Sequence, residues 1–110
     1  MNTTELLQLH SELCTSAHAL MKKKNHDYAG SSGDTPFANF TRVESMGITT
    51  TELGFMVRLT DKMSRLSTLM NGNKPQVEDE KIEDTILDVI NYSVLLYAFL
   101  KSHGKLTDNP

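Results

Sequence analysis

The stretch VEDEKIEDTILDVINYSVLLYAFLK, residues 77–101, decides the fold. Its first third is acidic (Glu78, Asp79, Glu80, Glu83, Asp84). From Ile86 to Leu100 it is almost wholly apolar, broken by Asp88 and Asn91. On a helical period Asp84, Asp88 and Asn91 fall at i, i+4 and i+7, on one stripe. A carboxylate inside an apolar run is costly to bury unless it is paired, hydrogen-bonded or metal-bound, so something must meet Asp88. The acidic run before it complements the positive end of the helix dipole. The apolar run is shorter than the ~20 residues a membrane span needs, and Asp88 interrupts it. This predicts a buried core helix.

Working backwards, Asn71-Gly72-Asn73-Lys74-Pro75 is a strong stop and turn. Before it, Thr49 to Glu52 reads as a capping box opening a helix that runs to about Met70. Leu53, Met56, Leu59, Met63, Leu66 and Met70 repeat there at three and four residues, an amphipathic stripe. The two helices therefore form an antiparallel hairpin. Upstream, PFANFTRVESM predicts a short helix with Pro36 at its first position, Thr35 or Asp34 as cap and Gly47 at its end. Asn25 to Thr35, NHDYAGSSGDT, reads as a long loop, and such a loop in a small domain is more often functional than idle. A first helix is expected over Thr3 to Lys24, capped by Asn2 with Glu5 at its third position. Leu6, Leu9, Leu13, Ala17 and Leu20 form its stripe, and Lys22 to Lys24 its solvated last turn. Residues from His103 onward read as a frayed tail.

At 110 residues the chain is one domain, with its core within about residues 3–103. A formal charge of −3 and a pI near 5.7 argue against a nucleic-acid polymer as partner. The single cysteine, Cys14, excludes an intrachain disulfide framework and fits a reducing compartment. The N-terminus has no basic segment followed by an apolar stretch, so no signal peptide is expected, and the expected location is the cytoplasm. The reading is an all-α bundle of three long helices and one short one. One protomer has too few long helices to close a four-helix core, so a homodimer or larger homo-oligomer is expected. Met56, Met63, Met70, Tyr92 and Tyr97 are candidates for the shared face.

Three polar groups stand out from ordinary surface. Lys24, Asn25, Asp27 and Tyr28, with Asn39 and Phe40, flank the glycine loop. Arg58, Asp61, Lys62 and Arg65 make a charged stripe on the middle helix. Asp84, Asp88 and Asn91 make the third group, with Glu80 one turn earlier. In the hairpin, Lys62 or Arg65 meets Asp84 or Asp88. That pairing supports a register-fixing ion network. It also supports a site whose cations grip phosphates and whose carboxylates hold Mg²⁺ or a sugar hydroxyl. His10, Cys14 and His18 at i, i+4 and i+8 lack a fourth ligand for a soft metal, and Cys14 borders the apolar stripe. His26 neighbours Asp27, and nothing in the sequence makes it a base. No Ser-His-Asp set, P-loop or dinucleotide fingerprint is present.

The strings KNHDYAG, PFANF, LTDKMSRL and IEDTILDVINYSVLL occur in that order over roughly residues 20–100. Together they resemble the nucleotide modification associated domain 1 family, small proteins frequent in bacteriophages. That family is similar to the all-α NTP pyrophosphatases of the MazG-like superfamily. The family pattern falls on Asp27, Tyr28, Gly30, Asn39, Phe40, Lys62, Arg65, Asp84, Asp88 and Tyr92. The resemblance implies cleavage of nucleoside triphosphates between the α- and β-phosphates by a Mg²⁺-activated water, with the metal on two acidic pairs. Here the middle helix offers Asp61-Lys62-Met63-Ser64-Arg65 in place of one pair, and Thr85 stands where the usual Glu of the other would be. Hydrolysis is thereby in doubt, and nucleotide recognition much less so.

Two functional expectations follow. In the first the chain is a hydrolase of nucleoside triphosphates or modified nucleotides. Asp84 and Asp88 hold Mg²⁺ with Asp61 or Asp27, Lys62 and Arg65 grip phosphates, and Tyr28 or Phe40 stacks on the base. In the second, the same pocket (Lys24, Asp27, Tyr28, Asn39, Phe40, Arg58, Lys62, Arg65, Asn91 and Tyr92) captures a nucleotide or nucleotide-derived signal without chemistry, as a phage protein that sequesters a host messenger would.

Overall fold

In the computed structural model the described residues are 1–29, 36–72 and 82–106, with backbone alone for 26–29. They form four helices and no strands: α1 (Thr3–Ala29), α2 (Ala38–Ser45), α3 (Thr51–Met70) and α4 (Ile82–Ser102). The fold is all-α, three long helices and one short, as the sequence predicts. Residues 77–81 of the expected final helix, the Asn73–Pro75 part of the turn, and Asp34 and Thr35 lie outside the described residues.

The ends of the helices follow local chemistry. Asn2 caps α1, its Oδ1 accepting from the Glu5 N–H at 2.8 Å. The helix continues five residues past the expected end at Lys24. Asn25 to Ala29 are middling helix formers without a breaker, and the first glycine is Gly30. The segment read as a loop from Asn25 onward is thus helical at its start. α2 begins at Ala38 behind a turn at Pro36 and Phe37, and its cap position, Phe37, supplies no side-chain bond. Gly47 ends it at φ +73°, the left-handed conformation a glycine C′ residue supplies, with Ile48 N–H donating to Val43 O at 3.0 Å. The cap of α3 is Thr50, one residue later than expected. Its Oγ1 accepts from Leu53 N–H at 3.3 Å, while Thr49 N–H still points back to Val43 O. The Glu52 carboxylate turns to Lys105, at 2.7 Å, leaving the capping box unclosed.

α4 packs most extensively on α3 and then on α1, and α2 bridges α3 and α1. The core is an aromatic cluster of Phe40, Phe55, Tyr92, Leu95 and Phe99, with Met21, Phe37, Leu59, Leu96 and Leu100 around it. Phe40 stacks on Phe55 with ring centroids 4.4 Å apart, and Tyr92 meets Phe40 edge-on at 6.0 Å. Both arrangements suit the ring quadrupole. Gly54 lets α2 lie close, since a Cβ there would come within 3.0 Å of Val43 Cγ2.

Two expectations need correction. The inward face of α3 is Thr51, Phe55, Leu59, Lys62 and Leu66. Of the expected stripe, Leu53 (56 % exposed), Met56 (50 %), Met63 (55 %) and Met70 (62 %) face outward. The fully buried Phe55 sets the rotation, because the largest side chain gains most from burial. The tail is also not frayed at its start. His103 stacks on Phe99 at 4.1 Å, Lys105 N–H donates to Leu100 O at 2.8 Å, and the Lys105 ammonium reaches Glu52.

Candidate functional site

The answer to Asp88 is two ammonium groups. Lys24 of α1 comes to 3.1 Å of Oδ1, and Lys62 of α3 to 2.9 Å of Oδ2. The Asp88 side chain is 15 % exposed, Lys62 17 % and Lys24 39 %. One carboxylate thus ties three helices together, and two described ammonium groups meet on it. The placement follows from the sequence. Asp88 lies on the α4 stripe that faces α1 and α3, Lys62 on the inward face of α3, and Lys24 in the sixth turn of α1.

The cations rest on the aromatic core. The Lys62 ammonium lies 5.9 Å above the Tyr92 ring, and the Arg58 guanidinium 5.1 Å above Phe40. Ring faces attract a cation at these distances. Asn91, one turn beyond Asp88, donates from Nδ2 to Ala17 O at 3.0 Å and so fastens α4 to α1.

The remaining candidates divide clearly. Phe40 and Tyr92 are buried in the core, so neither offers a ring face to a base, and Tyr92 is no part of a shared outer face. Asn39, half-buried, accepts from Arg42 at 3.4 Å. Asp61, Arg65 and Asp84 are exposed. The side chains of Asp27 and Tyr28 lie outside the described ones, as does Glu80. Cys14 Sγ is 3.8 Å from His10 Nε2 on exposed α1. Among the described residues no three His, Cys, Asp or Glu side chains gather to hold a metal. Both Asp88 oxygens face ammonium groups, so the described donors do not fit a Mg²⁺ site on Asp84, Asp88 and Asp61.

Two features escaped the sequence. Lys24 reads there as part of a solvated lysine turn as much as a site residue, yet it is one of the two partners of Asp88. The Glu52–Lys105 pair had no signal, since a pair 53 residues apart leaves no local pattern. Lys105 holds the Glu52 carboxyl below its ordinary value of 4.5, chiefly through this charge-assisted hydrogen bond. A groove of about 200 Å³ between α1 and α4 is lined by Cys14, Ala17, His18, Met21, Asn91 and Val94. It is smaller than typical ligand pockets and lies on the other side of Asn91 from the Lys24–Asp88 pair.

A protein-family model described as nucleotide modification associated domain 1 matches residues 24–99. No match was found among the curated proteins or among the solved structures. The matched residues run from Lys24 through Phe99 and include every member of the lysine–aspartate cluster and of the aromatic core. The chain belongs to this family.

Proposed function

From that membership, we propose that the chain binds a nucleotide or nucleotide-derived small molecule by its phosphates at Lys24 and Lys62, with Arg58 alongside. The observation that carries this reading is the convergence of two ammonium groups on one carboxylate. An ammonium has three donors, so one Asp88 oxygen does not exhaust it, and phosphate oxygens are suited to the remainder. Asp88 holds the two amines at one place before a ligand arrives, which lowers the ordering cost of binding. The family description supports a nucleotide-related role.

Pyrophosphohydrolase activity of the MazG-like type is the finer alternative. It needs a metal on carboxylates, whereas both oxygens of Asp88 already face ammonium groups, and this favours binding without turnover. The test is a thermal-shift panel of nucleoside mono-, di- and triphosphates and cyclic dinucleotides, with and without Mg²⁺, followed by chromatography of the ligand. A binder at ~100 times its Kd stabilises by about 2.7 kcal/mol, a melting shift of roughly 10–20 °C for a domain this size. Lys62→Met should remove that shift. Ligand recovered as monophosphate and pyrophosphate would replace binding by hydrolysis. No shift with any nucleotide would sink both.

A further inference from the structure

We infer that α3 pairs with α3 of a second copy of this chain, antiparallel, about a two-fold axis between Asp61 and Lys62. The observation is a repeat on the outward side of the helix. Leu53, Thr60 and Ser67 recur every seventh residue, and Met56, Met63 and Met70 recur every seventh, three places later. All six are exposed, and the four large ones are at least half exposed. Apolar residues scattered singly over a surface need no partner, but Leu53, Met56, Met63 and Met70 lie along one line about 26 Å long at 1.5 Å per residue, with the polar Thr60 and Ser67 between them. The spacing is that of a two-helix seam, with methionine or leucine at four positions and the small polar Thr60 and Ser67 at the other two.

The order of large and small side chains selects the direction. With the axis between Asp61 and Lys62, Met56 lies opposite the partner's Ser67 and Met63 opposite the partner's Thr60. Leu53 meets the partner's Met70 at each end. The relation is its own inverse, as a two-fold contact requires. Every inner layer then sets a methionine against a small residue, which fills space evenly. A parallel pair would set Met on Met and Ser on Ser, leaving alternate crowding and voids. None of the six positions is charged.

A second copy fits better than other parts of the chain. The segments outside the description, GSSGDT at 30–35, NKPQVEDEK at 73–81 and TDNP at 107–110, contain one large aliphatic side chain, Val77, and so supply no apolar face.

The experiment uses the full chain. Light scattering over a concentration series should give twice 12.3 kDa, and Met63→Glu should return the mass to 12.3 kDa with unchanged helical circular dichroism. Direction and register are tested in a Cys14→Ser background by mixing Met56→Cys chains with Ser67→Cys chains and oxidising. Cross-links between the two kinds of chain should dominate. Cross-links within each kind would overturn the antiparallel pairing. A monomeric wild type, or a dimer that survives Met63→Glu, would overturn the seam itself.

Discussion

Replacing Asp88 by Asn tests how the cluster holds the helices together. The amide keeps the shape of the carboxylate but removes its charge, and one end of it now presents N–H groups to an ammonium. Removing one partner from a buried ion pair costs about 3–5 kcal/mol, because the other charge is left without compensation. That figure needs discounting here. Lys24, 39 % exposed, can swing its ammonium into water, whereas Lys62, at 17 %, is held against Tyr92 and cannot do so fully. The loss should therefore come mainly from Lys62, at about 2–3 kcal/mol, lowering the melting temperature by roughly 10–20 °C. Urea unfolding at neutral pH, followed by circular dichroism, measures it directly, with the m-value unchanged. Lys24→Met should cost at most ~1 kcal/mol by the same logic. Lys62→Met combined with Asp88→Leu, which leaves no inner charge stranded, should be close to neutral or stabilising. A loss below about 0.5 kcal/mol for Asp88→Asn is what ordinary surface positions show, and it would refute the cluster as a structural tie.

Asn91→Ala removes the bond to the Ala17 carbonyl and should cost about 1 kcal/mol by the same urea assay. Gly54→Ala sets a methyl 3.0 Å from Val43 Cγ2, so that side chain must give by a few tenths of an ångström, and this crowding should offset the gain of about 1 kcal/mol that alanine brings to a helix interior, leaving the urea midpoint nearly unchanged. Glu52 has a lowered pKa in the folded chain, so its bond to Lys105 contributes stability above the unfolded value near 4.5, and that contribution disappears as pH falls through the folded value. Amide resonances of His103 and Lys105 should report release of the C-terminal turn in that acidic range. In Lys105→Met the turn should already be released at neutral pH.

The sequence reveals the helices better than their rotation. The α3 repeat at three and four residues is real, but two stripes satisfy it. Leu59 and Leu66 belong to the inward one and Met56, Met63 and Met70 to the outward one. Periodicity marks apolar faces without saying which meets the core. Phe55, which lies outside the expected stripe and on the inward face, decides the matter by its size. Asp88 was legible as a problem, because a carboxylate in an apolar run demands a partner. Lys62 was legible as one answer, through the hairpin geometry. Lys24 was not, because its distance of 64 residues along the chain makes the contact a product of how α1 crosses α4. The end of α1 was misplaced since polar residues without a glycine or proline continue a helix at little cost.

The family match and the geometry bear on each other through the position of residue 24. The match begins at Lys24, so nearly all of α1 precedes it, and of the core only Ala17 and Met21 come from that part. The first turns of α1 are exposed throughout, with Leu6, Leu7 and Leu9 facing outward. The part shared with the family is therefore the aromatic core together with the ammonium groups mounted on it. Asp88 alone would be explained by structure, since a single lysine satisfies a single carboxylate. The second lysine, Lys24, is 39 % exposed, so its pair with Asp88 adds at most ~1 kcal/mol to the tie that Lys62 already makes. The proposed binding of a phosphate at Lys24 and Lys62 rests on this second ammonium beside Asp88, and the nucleotide thermal-shift panel decides between it and helix register.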